Sequence, residues 1–146
     1  MIMVHQMETK QTQRIPVANG LFTMPASDER SGLIANKCSK CGEIYFPTET
    51  LCLRCGNLKL EDTSLSNEGI LYTFTIIRQQ PPVYKGPVPY AIGIIDLPEK
   101  VRFTSLLTDC DFSILNVGMK VELVIEKLHE DDEGNEVVCH KFKPIP

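Results

Sequence analysis

The sequence contains no tryptophan, only 7% aromatic residues, and no apolar run near the roughly 18 residues that a membrane-spanning helix requires. Residues 1–14 are rich in Gln and Thr and lack an apolar signal core, so the expectation is a soluble cytoplasmic protein with no membrane association. A dense Lys/Arg stripe is lacking as well. The 15 basic residues are outnumbered by 19 acidic ones, for a net charge of −4. Much of that excess sits in one stretch, where Glu122, Glu126, Glu130, Asp131, Asp132, Glu133 and Glu136 face only Lys120 and Lys127. Nucleic-acid binders draw most of their affinity from neutralising phosphates and releasing counterions, so nucleic acid is not expected as a partner. At 146 residues the chain is one ordinary domain, or two small ones sharing a core, and not a large multidomain enzyme. Its 42% hydrophobic and 23% charged residues place it among globular proteins.

What stands out against this plain background is cysteine. Cys38, Cys41, Cys52 and Cys55 form two CxxC pairs, C-S-K-C-G and C-L-R-C-G, while Cys110 and Cys139 stand alone. A glycine after each second cysteine lets the backbone turn tightly where a β-carbon would crowd it. Two such knuckles facing each other set four sulfurs at tetrahedral corners, the closed coordination of a structural zinc. Iron in a rubredoxin-like role is the alternative, because spacing alone does not select the metal, and two disulfides are the other. Four protein ligands leave no open position, so the ion folds the ribbon and performs no hydrolysis. Lys37, Lys40 and Arg54 are expected to hydrogen-bond or screen the thiolates, with phosphate contact as their other reading.

Elsewhere the pattern is that of strands and turns, in keeping with ten prolines and nine glycines. Residues 1–26 carry no sustained period and are expected as a mobile tail, or as an arm that orders only on a partner. Ser27, Asp28 and Glu29 resemble a helix start that Gly32 cuts short. Residues 44–46 suit a short strand covering the metal, and residues 61–68 a polar connector. Five strands are expected at 70–78, 90–97, 101–107, near 121–126 and 137–142, with Gly93 as a bulge or bend and 130–135 as a charged hairpin tip. Between the first two, residues 79–89 hold four prolines and form a stiff loop. Five short bent strands without crossover helices predict a small closed barrel of the OB-fold type. The expected fold is therefore mainly β: an N-terminal arm and short helix (1–32), a four-cysteine zinc ribbon (33–60) and a five-stranded OB-fold barrel (61–146).

This order of segments, with CSKCGEIYFP, LCLRCG, GILYTFTIIR, PVPYAIGIIDL, LNVGMKVELVI and HKFKP, resembles the DUF35 family over residues 27–144. The resemblance implies an OB-fold protein with a rubredoxin-like zinc ribbon that accompanies acyl-CoA enzymes. It further implies a hetero-oligomer with a thiolase-fold enzyme subunit and a share in holding coenzyme A or acyl-CoA. Some members serve steroid, aromatic or isoprenoid-precursor metabolism, one of them beside a thiolase that cleaves benzoylsuccinyl-CoA. The competing functions are a single-stranded nucleic-acid module and an iron-bearing redox protein.

No catalytic residue of its own is expected. Thiolase chemistry needs an activated cysteine and a proton-transfer partner. Cys110 lies between Asp109 and Asp111, which raise its pKa. Cys139 and His140 are adjacent strand residues that point to opposite faces. For coenzyme A, which presents a ring, three phosphates and an amide arm, the candidates are Arg78, Lys85, Arg54 and Tyr84, on or near the proline-rich loop and the knuckles. Tyr90 is a further stacking or interface candidate.

Overall fold

The computed structural model describes residues 13–23, 32–84 and 86–145. Within them run β1 (Arg14–Pro16), β2 (Ile34–Cys38), β3 (Ile44–Tyr45), β4 (Leu60–Ser64), β5 (Glu68–Ile77), β6 (Tyr90–Asp96), β7 (Arg102–Leu107), β8 (Lys120–Glu130) and β9 (Glu136–Pro144). The pairings β5–β6–β7–β9–β8, with β8 returning to β5, close a five-stranded barrel. Only β7 and β9 pair in parallel within that ring. Closure pairs part of each edge of a short, strongly bent sheet that would otherwise stay open: β5 meets β8 over Glu68–Ile70, and β7 meets β9 at Leu106 and Leu107.

Alternation explains the barrel's interior. Ala91, Gly93 and Ile95 of β6 are buried and pair with Leu107, Ser105 and Phe103 of β7. Val121, Val138 and Phe142 complete the wall, each with no measurable exposure. The expected bulge lies elsewhere than Gly93. The register breaks in β5, between Leu71 and Thr73. Gly93 pairs regularly with Phe74 and Ser105. What Gly93 provides is room: a β-carbon there would sit 2.7 Å from Leu71 Cδ1.

The ribbon is a second sheet in the order β3–β2–β4. The stretch expected as a polar connector is largely strand, because Leu60 to Ser64 pair along the whole of β2, from Cys38 to Ile34. Ribbon and barrel share one core, since Leu33 and Ala35 cluster with Leu71, Ile95 and Phe142. Phe46, just after β3, meets Phe103 edge-on with ring centroids 4.9 Å apart.

The expectation of a mobile N-terminus is corrected for residues 13–23. Arg14 to Pro16 add a strand parallel to β9 of the same chain, and Phe22, 5% exposed, bridges Leu33. The short helix expected from Ser27 lies outside the described residues. Among those described there is no α-helix, only a 3-10 turn at Phe112–Ile114, capped by Asp111, whose Oδ1 accepts from the Ser113 backbone N–H at 2.9 Å.

Candidate metal centre

Each knuckle is a backbone turn in which a glycine closes the loop. Gly42 N–H donates to the Cys38 carbonyl at 3.0 Å, and Gly56 N–H to the Cys52 carbonyl at 2.8 Å. Both glycines take φ near +80° (82° and 80°), the left-handed region in which a side chain would be strained. Cys38 enters from the end of β2, so strand pairing with β4 fixes the first knuckle. The second follows a segment braced at Glu49 by Asn36, a buried side chain that donates to the Glu49 carbonyl at 2.7 Å and accepts its N–H at 3.2 Å.

The four sulfurs of Cys38, Cys41, Cys52 and Cys55 lie within 4.8 Å of one another. Cys38 and Cys55 stand 3.6 Å apart, and Cys41 and Cys52 3.5 Å apart. Sulfurs bonded to zinc at about 2.3 Å in a tetrahedron are separated by about 3.8 Å, so the donor set fits such an ion in both chemistry and size.

The surroundings favour charge on some sulfurs and resist it on all four. The Cys38 thiol falls to about 5, chiefly because the Cys41 backbone N–H points at its sulfur, with the Asn57 amide and Lys40 N–H adding donors against the cost of burial. Cys52 is also lowered, first by the Tyr45 hydroxyl 3.4 Å from its sulfur. Cys41 moves the other way, up to about 12. The Glu43 backbone N–H draws it down, but burial and the sulfurs of Cys52, Cys38 and Cys55 oppose a further negative charge. A divalent cation at the centre removes that conflict, since it lets neighbouring thiolates coexist.

The hydrogen bonds that reach the sulfurs differ from those expected. They come from the N–H groups of Lys40, Cys41 and Cys55, the Asn57 amide and the Tyr45 hydroxyl. Among the described residues, no ammonium or guanidinium group of Lys37, Lys40 or Arg54 is among them. Arg54 instead pairs with Glu43 at 3.3 Å on the exposed surface. Asn57 is a functional residue that composition and spacing did not single out. Its one signal was its place directly after the second knuckle glycine.

The coenzyme A candidates are scattered. Arg78 is exposed just past the end of β5, Arg54 is on the ribbon, and Lys85 lies outside the described residues. Tyr84 stacks on Tyr90 with centroids 4.1 Å apart and lines a cavity that includes neither arginine. Cys110 is raised by burial and by its flanking carboxylates Asp109 and Asp111, and Cys139 by burial first.

A four-cysteine ribbon whose core merges with a closed five-stranded barrel defines a zinc-ribbon OB-fold protein. Two family models match it in sequence: the rubredoxin-like zinc ribbon domain of ChsH2 over residues 29–61, and the C-terminal OB-fold domain of ChsH2 over residues 62–126. A DUF35 domain-containing scaffold protein of Methanocaldococcus jannaschii is 37% identical over 119 residues, covering 80% of this chain and 84% of the relative. The benzoylsuccinyl-CoA thiolase subunit BbsA of Thauera aromatica is 31% identical over 127 residues, covering 86% and 85%. The chain belongs to the DUF35 family. Among solved structures, the Ltp2-ChsH2(DUF35) aldolase shares the fold, with a TM-score of 0.64 at 21% identity over 77% of this chain and 84% of that one. No helix among the described residues is long and apolar enough to cross a membrane.

Proposed function

We propose that this chain is a non-catalytic accessory subunit of a thiolase-type acyl-CoA enzyme complex, stabilising a thiolase-fold partner and contributing to its hold on coenzyme A. The observation that carries this reading is the likeness, over most of both chains, to relatives named as a scaffold protein and as a thiolase subunit. The donor set of Cys38, Cys41, Cys52 and Cys55 supports a structural zinc, which when bound supplies a folding constraint and no open coordination position. In this reading an arm (1–32), a ribbon (33–60) and a barrel (61–146) are the working parts. Arg78, Lys85, Arg54 and Tyr84 are the contributors to coenzyme A binding in this reading.

The test is co-expression with a thiolase-fold enzyme encoded in the same pathway. A stable complex whose thiolytic turnover falls on removal of this chain is the expected result. An enzyme that keeps full turnover alone and never co-elutes with this chain overturns the reading.

A further inference from the structure

We propose that the cleft beneath the proline-rich loop binds the adenine ring of an adenine nucleotide, either free or carried as the headgroup of coenzyme A. The cleft lies where that loop overhangs the end of β7, and its volume is about 180 Å3. Pockets for whole drug-sized ligands run from about 300 Å3 upward, so this one takes a single ring system with the rest of the molecule outside.

Its walls suit a flat ring. Tyr84 and Tyr90 line it as a stacked pair, centroids 4.1 Å apart and planes 26° from parallel, with Phe112 and Leu106 among the apolar lining. The aromatic wall is held in place before any ligand arrives. The Tyr84 hydroxyl donates to the Pro87 carbonyl at 2.9 Å, and the Gln80 side-chain amide donates to the Tyr84 carbonyl. Pro87 and Pro89 restrict the backbone around it, which lowers the ordering cost of a contact.

The polar groups select the kind of ring. Lys141 lines the cleft with its side chain only 13% exposed. Its ammonium donates to the Lys127 carbonyl at 3.2 Å and stands 3.8 Å from Glu126 Oε1, which also accepts from the Thr108 hydroxyl at 2.8 Å. An ammonium has three donors, so one remains for a ligand. Because Glu126 balances the charge of Lys141, the site suits a neutral acceptor better than a phosphate. Asp109, also in the lining, supplies a carboxylate acceptor. A ring that offers an amino donor beside ring-nitrogen acceptors, as adenine does, matches both groups, whereas an aliphatic acyl chain uses neither. The coenzyme A source rests on the accessory-subunit reading; the base-binding cleft does not.

The experiment titrates the full, metal-loaded chain with AMP, adenosine 3′,5′-bisphosphate, coenzyme A, pantetheine and UMP, following the tyrosine ring resonances. Adenine-bearing ligands are expected to shift Tyr84 and Tyr90, and pantetheine and UMP are not. Tyr84→Leu and Asp109→Asn, each checked for unchanged circular dichroism, should weaken adenine binding by about tenfold or more. Binding of AMP as tight as that of coenzyme A assigns the free nucleotide; binding of coenzyme A and the bisphosphate far above AMP assigns the headgroup. Equal binding of UMP, no binding of any adenine ligand, or affinities untouched by both variants overturns the proposal. Co-elution with the thiolase-fold partner is measured separately, so loss of the cleft and loss of the accessory role give different results.

Discussion

Phe46 of the ribbon meets His140 of β9 edge-on, with ring centroids 5.7 Å apart and planes at 86°. Phe22, from the N-terminal arm, approaches the same imidazole at 6.0 Å. One histidine therefore stands where arm, ribbon and barrel converge, and its Nδ1 is buried without a hydrogen-bond partner. Burial holds its pKa below the ordinary histidine value.

The sign of the pH effect follows. Above about pH 6.5 the histidine is neutral in both folded and unfolded chains and contributes no pH dependence. As pH falls below that value the unfolded chain takes up a proton that the folded chain refuses, so stability declines by up to about 1.4 kcal/mol per pH unit until the folded pKa is reached. His140→Phe keeps a ring in the junction and removes the proton site. Denaturant midpoints of the metal-loaded protein at pH 7.5 and pH 5.5 should converge in this variant relative to the parent. An equal acid loss in both would show that His140 does not report on the fold.

Removing the other half of the contact tests the docking itself. Truncating a fully buried phenylalanine costs about 3–5 kcal/mol, and the half-buried Phe46 should cost about 2 kcal/mol in Phe46→Ala. Because Phe46 lies outside the sulfur cluster and the knuckles are closed by their own backbone bonds, metal content should stay at the parental level. The expected signature is a lower unfolding midpoint and faster native-state proteolysis between ribbon and barrel, with unchanged metal by elemental analysis.

The barrel strands were legible because their evidence is local. In β6 an inward set at Ala91, Gly93 and Ile95 alternates with Ile92 and Ile94, and the strand runs from Tyr90 to Asp96, within a residue of expectation. The paired CxxC motifs likewise announced a four-sulfur cluster, since few other arrangements use thiols at that spacing. β1 and β4 were missed for the opposite reason. Arg-Ile-Pro and Leu-Glu-Asp-Thr-Ser have no apolar period of their own and become strands only because β9 and β2 offer them partners. Asn36 and Asn57 were invisible in the same way, as their partners lie 13 and 19 residues away in sequence. The bulge at Tyr72 rather than at Gly93 shows that a glycine in a strand can mark close approach instead of irregular register.

Metal removal should separate the two sheets energetically. The ribbon has little core beyond Leu33 and Ala35, so the four-sulfur centre carries most of its order, on the order of 10 kcal/mol of apparent binding free energy at neutral pH. Cys52→Ser, or chelation of the parent, is expected to abolish stoichiometric zinc or iron and to erase amide protection over β2–β4. Protection in β6 and β9, which the closed barrel supports, should persist. Asn57→Ala removes one donor to the Cys38 sulfur and should weaken zinc retention against a competing chelator by about 10-fold, as loss of an outer partner of a metal ligand commonly does. Full zinc retention in Cys52→Ser would refute four-cysteine coordination.

The barrel's tightest point gives the last prediction. A β-carbon at Gly69 would lie 2.6 Å from the Asp96 carbonyl oxygen, 2.8 Å from Leu97 Cδ2 and 3.0 Å from Ile95 Cγ2. The nearest atom is backbone on the paired strand, which cannot swing aside, so Gly69→Ala must part β5 from β6 where β5 also pairs with β8. At Gly93 the nearest atom is the Leu71 methyl at 2.7 Å, the end of a side chain that can rotate, with Thr73 oxygen at 3.2 Å. Overpacking costs about 1–3 kcal/mol, and Gly69→Ala should fall at the upper end and Gly93→Ala at the lower. Thermal unfolding of both variants, compared with a Gly118→Ala control whose φ of 92° strains the chain without any steric contact, checks the order. A smaller loss at Gly69 than at Gly93 would mean that the β5–β6 spacing relaxes more readily than the carbonyl contact implies.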